Sequence, residues 1–432
     1  MRDLGRKAVA VISVHASPMS ELGQGENGGM NLAIRRVCEG LSERGIPTDV
    51  FVRREDAFSP DEELIAPMSR LVRLPVGPAR AIPKADVLAL CDDFAAALAR
   101  HARSEGRGYR AIHAHYWFGG LVARHLREQW DVPWVQSFHT LARTKARAGL
   151  PLDEERAEVE ERLAEEADRL VAASVSEAKD LIRLYHASRE RICVAQPGVD
   201  LRLFAPRDTA ALRAELGLED RRVVFFAGRL EPLKGADTLL EAASQLVSRP
   251  EFADLALLVA GDNSGDGTQE NGGERARLQR QAEAGALAGR VSFLGAVSHQ
   301  RLADFYALAD VCVVPSRTES FGIVALEAQA LGTPVVAAAV GGLTEAIEDG
   351  VTGVLVRGRD PERWADAIAR VLHDPEERAA MGEEARLRAA RFTWARAVDR
   401  VSAIYDRLTT PRQEAAFPCG YADEEFTLLR AG

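Results

Sequence analysis

Apolar residues along this chain fall into two alternating kinds of stretch. Short, nearly continuous apolar runs bounded by Gly or Pro read as strands buried on both faces, and therefore parallel. The first series is 8–14 (AVAVISV), 48–52 (TDVFV), 111–114 (AIHA), 133–136 (PWVQ), 169–173 (RLVAA) and 191–194 (RICV). A second follows at 222–227 (RVVFFA), 255–260 (LALLVA), 290–293 (RVSF), 310–314 (DVCVV), 334–338 (PVVAA) and 353–356 (GVLV). Between the runs, apolar positions return with a helical period. Met30, Ile34, Val37 and Leu41 mark a helix over 30–44, and 154–168, 176–185, 236–247, 301–308, 322–331 and 361–372 read likewise.

Alternating strands and helices predict an α/β class of doubly wound, parallel sheets. The strand, glycine turn and helix at 222–247 repeat the opening of 8–44, which predicts two Rossmann-like domains joined in the polar stretch 200–220. The expected division is an N-terminal domain over 1–205 and a C-terminal one over 206–392. A helix at about 393–410 is expected to pack back on the first domain, and the tail 411–432 is unassigned. Two such sheets facing each other would bring their ligand-binding strand ends to one interdomain cleft.

Composition narrows the class. The chain of 432 residues is 47% hydrophobic and 28% charged, ordinary values for a globular protein. A net charge of −10 is the wrong sign for a general binder of nucleic acid or of an anionic membrane. Lysine occurs only at 7, 84, 145, 179 and 234, so each one draws notice. Five scattered cysteines (38, 91, 193, 312, 419) form no CxxC pair, which argues against a disulfide framework or structural zinc and for a reducing cytoplasm. The apolar run near the N-terminus is short and lacks a cleavage signal, so it reads as a strand and not a leader. Nowhere do ~18 uninterrupted apolar residues occur, so no membrane insertion is expected.

The stretch Ser316-Arg-Thr-Glu319-Ser-Phe321-Gly322-Ile323-Val324-Ala-Leu-Glu327 follows a strand and opens a helix. Backbone N–H groups at such a helix start are an anion site suited to phosphate. Glu327 lies eight residues beyond Glu319, about two turns into the helix, a depth that suits two ribose hydroxyls. An acidic first turn plus a solvated Glu explains the same letters. In Gly228-Arg229-Leu-Glu-Pro-Leu-Lys234-Gly235, a strand-end Arg and a Lys five residues on could clamp a diphosphate, or form a charged surface turn. Gly28-Gly29-Met30-Asn31 begins the first long helix and would admit a ligand close to the backbone, though a plain loop turn serves equally well. His113 and His115 share a strand face, as a metal pair would, but no third ligand accompanies them and satisfied strand-end histidines are preferred. His139, at the end of the next strand, lies in the predicted crevice. Asp262–Gly273 imitates a calcium loop but ends in Gly where the bidentate Glu belongs.

Taken together, GGMN, FHT, PGVD, GRLEPLK, ESFGIVALE and GTPVVA resemble the retaining glycosyltransferases of family four, over about residues 8–400. Within that family HASPMSELGQGENGGMN, HAHYW and SFHTLARTK are most similar to the mycothiol-pathway branch, which moves N-acetylglucosamine from UDP to inositol phosphate. The resemblance implies the GT-B fold. It implies Arg229 and Lys234 as a diphosphate clamp, Glu319 as the carboxylate holding the donor sugar, and His139 beside the reacting sugar. Phe321, Gly322, Ile323 and Val324 would offer backbone to sugar and phosphates, Glu327 would bind the ribose, and Gly28 and Gly29 would lie near the diphosphate. On the acceptor side it implies Asn31, Lys84, Tyr116, Thr140 and Arg156. No essential metal and no cofactor are expected, the nucleotide sugar being a substrate. A small hydrophilic acceptor, a cytoplasmic location and a homodimer are also implied.

Departures bear on the acceptor. Thr318-Glu319-Ser320 replaces the branch's usual NES, and Gly341-Gly342-Leu343-Thr344-Glu345-Ala346-Ile347 replaces GGLPVAV. UDP-N-acetylglucosamine is the favoured donor, with a GDP-sugar as the other choice. A natural-product relative acting on an aminocyclitol or a small thiol would look much the same. An epimerase or hydrolase of sugar nucleotides, and a non-catalytic sugar-nucleotide sensor, are the remaining readings.

Overall fold

A computed structural model describes residues 7–20, 28–263 and 273–409. Most of the glycine-rich loop 262–273 and all of the tail 411–432 therefore lie outside the described residues. In chain order the first elements are β1 (Ala8–Ile12), α1 (Gly29–Glu43), β2 (Thr48–Arg53), β3 (Glu62–Ala66), β4 (Ser69–Leu74), α2 (Lys84–Leu88), α3 (Cys91–Ser104) and β5 (Tyr109–His115). Then come α4 (Tyr116–Trp130), β6 (Trp134–Ser137), α5 (Ala142–Arg147), α6 (Glu154–Glu166), β7 (Arg169–Ala172), α7 (Val175–Tyr185) and β8 (Ile192–Val194). The chain continues through α8 (Ala210–Glu215), β9 (Arg222–Ala227), α9 (Ala236–Val247), β10 (Leu255–Ala260), α10 (Gly273–Glu283), β11 (Val291–Gly295), α11 (His299–Leu308) and β12 (Val311–Val314). It ends with α12 (Ile323–Ala330), β13 (Val335–Ala338), α13 (Leu343–Ala346), β14 (Gly353–Val356), α14 (Pro361–His373), α15 (Pro375–Ala389) and α16 (Trp394–Thr409).

These elements make two compact units. One comprises the chain up to Ser20, Met30–Gln196 and the segment from Trp394 onward; the other takes Gly28, Gly29 and Pro197–Thr393. The division thus falls after Gln196, somewhat ahead of 205.

The first unit holds an eight-stranded sheet in the order β3-β4-β2-β1-β5-β6-β7-β8. All neighbours are parallel except β3 and β4, which pair antiparallel at the edge. Reading the strands as uniformly parallel missed this hairpin, because Glu62–Ala66 is polar and largely exposed and carries no apolar run. Alternate residues of β1 feed two cores, as parallel strands covered on both faces require. Ala8, Ala10 and Ile12 pack toward α3, α4 and α6, whereas Val9 and Val11 pack with Ile34 and Leu41 of α1 and Val398, Val401 and Ile404 of α16. α16 is fastened to this unit by Arg44 Nη2, which donates to Asp399 Oδ1 at 2.6 Å, and by Arg110 on Asp406.

The second unit holds six parallel strands in the order β11-β10-β9-β12-β13-β14. Among the described residues no helix is long and apolar enough to cross a membrane. Cys38, Cys91 and Cys312 are free and buried. Cys193 is disulfide-bonded, against the expectation that no disulfide framework is present.

Candidate functional site

In the second unit, two loops at the carboxyl ends of β9 and β12 are tied by the Arg317 N–H, which donates to Leu233 O at 2.8 Å. This tie brings the GRLEPLK turn to the ESFG turn. Lys234 Nζ donates to Glu319 Oε2 at 2.7 Å, and Ser316 Oγ reaches the same oxygen at 3.3 Å. Arg229 pairs with Glu231 at 3.0 Å. The cation and the carboxylate read from sequence as phosphate and sugar ligands thus hold each other.

α12 starts with Gly322 as its N-cap, at φ +97° and with no side-chain cap, so the first turn presents backbone N–H groups. Half-buried Ile323 and Val324 form that turn. Phe321 is buried, 2% exposed, with its ring 5.6 Å from the Phe392 ring. Gly341 and Gly342 press against the back of this turn. A Cβ on Gly341 would stand 1.9 Å from Glu319 O, and one on Gly342 2.4 Å from Phe321 Cα, contacts only glycine permits. The Gly342 N–H donates to Glu319 O at 3.0 Å. Gly28 and Gly29 sit near the same groups, positions for a Cβ lying 4.0 Å from Arg229 Nε and 3.5 Å from Ile323 Cδ1.

Glu327 is buried one helix turn deeper, its Oε1 taking a hydrogen bond from His299 Nε2 at 2.6 Å and its Oε2 one from the Tyr306 hydroxyl at 3.2 Å. Burial first, and the Glu327 charge second, push the Tyr306 phenol well above its usual range, so it stays a donor. The solvated-Glu alternative is thereby removed. Neither His299 nor Tyr306 was read from the sequence. They lie 28 and 21 residues from Glu327, and only the packing of α11 on α12 makes them neighbours.

In the first unit the acceptor candidates converge at the carboxyl ends of β5 and β6. Arg156 Cζ lies 4.8 Å from the Tyr116 ring centroid and Lys84 Nζ 5.8 Å from it, so both cations are within cation–π reach of one ring. Arg156 Nη2 donates to Thr140 Oγ1 at 3.0 Å and to Thr140 O at 2.7 Å, while its Nε donates to buried Glu160 at 2.6 Å. Asn31 stands on α1, its Nδ2 donating to Ser17 O at 2.8 Å. Lys84, Tyr116, Thr140 and Arg156, far apart in sequence, therefore make one cationic, hydroxyl-bearing patch.

His139 and His115 stack at 5.0 Å, with Nε2 and Nδ1 2.8 Å apart. Burial holds the His139 imidazole down at about 4 and, with neighbouring histidines, His115 well below the usual value. His113 hydrogen-bonds through Nδ1 with the Tyr405 hydroxyl of α16 at 2.6 Å and through Nε2 with Ser137 Oγ at 2.9 Å, one nitrogen donating and the other accepting. Both its nitrogens are spent on protein, which favours the satisfied strand-end reading over a metal pair. Four non-glycine residues among those described have positive φ. Asp131 and His186 are ordinary left-handed helix C-caps. Tyr116 (φ +64°) and His139 (φ +62°) are not, and strain at two adjacent strand ends marks a site.

Comparison with known proteins places the chain in a family. Residues 208–388 match the model for glycosyl transferases group 1, and 28–198 the glycosyl transferase 4-like domain. A D-inositol 3-phosphate glycosyltransferase of Nocardia farcinica is 42% identical over 90% of this chain and 86% of its own length. The chain belongs to the family-four glycosyltransferases. The enzyme of the same name from Geodermatophilus obscurus is 44% identical, over 92% of this chain and 89% of that one. Among solved structures, sucrose-phosphate synthase from Thermosynechococcus elongatus superposes with a TM-score of 0.85 at 34% identity, covering 93% of this glycosyltransferase and 99% of that chain. Anabaena HepE with UDP and glucose shares the GT-B fold, with a TM-score of 0.75 at 22% identity over 93% and 99% of the two chains.

Proposed function

We propose that this glycosyltransferase moves N-acetylglucosamine from UDP to an inositol phosphate, with retention at the anomeric carbon. What carries the reading is the patch of Lys84, Tyr116, Thr140 and Arg156, in which both cations lie close to one ring and Arg156 also holds the Thr140 hydroxyl. Such a grouping suits a phosphate dianion better than a neutral cyclitol. Relatives at 42% and 44% identity named for D-inositol 3-phosphate support it.

In the second unit Glu327 would take the ribose hydroxyls, and Arg229, Lys234 and the first turn of α12 would take the diphosphate. Lys234 would leave Glu319 for the phosphate, freeing that carboxylate for the sugar hydroxyls. An acceptor hydroxyl attacks the anomeric carbon from the face the diphosphate departs; the new C–O bond forms as the old one breaks, and the acceptor proton leaves on a phosphate oxygen. Stabilising the charge that grows on the β-phosphate is the largest expected contribution, and here cationic side chains and backbone N–H groups supply it. That assignment needs no metal. Neutral His139 would stand beside the reacting sugar as a hydrogen-bonding group. The reading also places the chain in the cytoplasm, as a homodimer acting on two small substrates without nucleic acid.

A donor-by-acceptor screen tests this. UDP- and GDP-sugars are each incubated with inositol 1-phosphate, with inositol or with neither, following nucleotide release, product mass and anomeric configuration. Release that depends on UDP-N-acetylglucosamine and is much faster with the phosphorylated acceptor than with inositol is the expected result. Equal release with inositol, or release without acceptor, overturns it.

A further inference from the structure

Arg53 ends β2 with a side chain shut off from solvent, and the guanidinium is spent on loops. Its Nη1 donates to Pro78 O at 2.7 Å and Arg54 O at 2.9 Å; its Nη2 donates to Arg80 O at 2.8 Å and Glu55 Oε1 at 3.0 Å. Residues 75–83, which supply two of those carbonyls, connect β4 to α2 without a helix or strand of their own. Lys84 is the first residue of α2, reached directly from this loop through Pro83.

A fully buried cation is a costly way to fill space, since an apolar side chain of similar volume would serve stability as well or better. What the planar fork supplies is a fixed distance between Pro78 O and Arg80 O, which neither an apolar group nor a single ammonium can impose. Ile82, two residues before Lys84, is packed against the core on the same side. With both anchors set, the start of α2 is fixed, and Lys84 Nζ stands 5.8 Å from the Tyr116 ring.

We propose that Arg53 is a positioning residue for acceptor recognition, holding the 75–83 loop so that Lys84 meets the acceptor phosphate beside Tyr116. The inference rests on the acceptor reading given above and extends it to a residue that touches no substrate. Its loss acts on the phosphate of the acceptor and on neither the donor nor the acceptor hydroxyl.

Steady-state kinetics of Arg53→Lys, Lys84→Met and the double variant, with UDP-N-acetylglucosamine and either inositol 1-phosphate or inositol, test it. Arg53→Lys keeps the charge and loses the fork. The expected result is a KM for inositol 1-phosphate raised about tenfold, as for one misplaced charge-assisted hydrogen bond, with donor KM and turnover of inositol unchanged. The double variant should discriminate between the acceptors no worse than Lys84→Met alone, because both changes act through one lysine. An unchanged acceptor KM, equal losses with both acceptors, or additive losses in the double variant would overturn the proposal. Should Lys84→Met itself leave discrimination intact, the acceptor reading fails first, a separate result. If Arg53→Lys does not fold, Glu55→Gln, which weakens one of the four bonds, reads the same ratio. A shift of about two- to threefold is then expected, and no shift overturns the proposal.

Discussion

At the scale of single residues, the donor half turns on a carboxylate and its donors. The E-x7-E spacing suggested Glu327 for the ribose role proposed above, and the structure buries it between His299 and Tyr306. His299 carried no signal, since its register relative to Glu327 is set by two helices packing. An imidazole N–H on Oε1 and a phenol on Oε2 fix the plane of the carboxylate, leaving its remaining lone pairs for two hydroxyls. His299→Asn should therefore raise the KM for the nucleotide sugar about tenfold, roughly 1.4 kcal/mol, and leave kcat within about threefold. Initial rates across donor concentration decide it, and an unchanged donor KM would sink the assignment. The acceptor residues contrast with this. Lys84 stood out as one of five lysines, but its closeness to Tyr116, Thr140 and Arg156 was carried by the resemblance, because no spacing joins positions on three helices and a loop.

At the scale of elements, the strands buried on both faces announced themselves as apolar runs, and each of the twelve runs read has a strand in the structure. The edge hairpin and the start of α4 did not. β3 and β4 read Glu62–Ala66 and Ser69–Leu74, too polar to stand out, and α4 begins at Tyr116 inside what looked like a strand end. The left-handed φ of Tyr116 makes that abrupt change from β5 to α4 and could not be read from an aromatic residue. Glycines were more informative than they looked. Gly341-Gly342 precedes one of the departures from the family pattern, yet its work lies in backing the turn at 319–322, a role the differing residues that follow leave untouched. Gly342→Ala should force that turn away from the start of α12. Overpacking of this kind costs about 1–3 kcal/mol, a Tm loss of roughly 2–12 °C for a unit this size. UDP affinity, measured by calorimetry, should fall at least about tenfold, whereas wild-type affinity in the variant would show that the turn does not depend on its glycine backing.

At the scale of the molecule, the histidine group of the first unit ties stability to pH. His113, His115 and His139 are buried together, with Ser137, the Tyr405 hydroxyl and one another as partners. Burial is the leading cause that lowers all three, His113 to about 3 and His139 to about 4, and the proximity of other imidazoles adds to it for His113 and His115. In the unfolded chain each titrates near its ordinary value of ~6.5. Between pH 6.5 and about 4 the unfolded state therefore binds protons that the native state refuses. Stability is full above pH 6.5 and falls as pH drops through this window, by as much as about 1.4 kcal/mol per pH unit for each histidine. Below that window Asp49 joins in. Burial works against its ionisation, but hydrogen bonds from Arg70, Arg107 and Tyr109 prevail and hold it below its normal value, so its contribution is lost in stronger acid. Net charge alone predicts a different course, since a chain at −10 approaches neutrality near pH 5.6 and should shed self-repulsion on the way. The histidines outweigh this, because loss of surface repulsion is screened by salt whereas burial of an imidazole is not. Urea unfolding at fixed ionic strength, followed from pH 7.5 to 4.5, should show stability falling steadily below pH 6.5. His113→Asn, which does not titrate, should flatten that slope by about a third even if it lowers stability at pH 7.5. A profile that is level or rising down to pH 5 would show that these imidazoles take up protons inside the fold, and with it the assignment of His139 as a neutral group beside the sugar would fall.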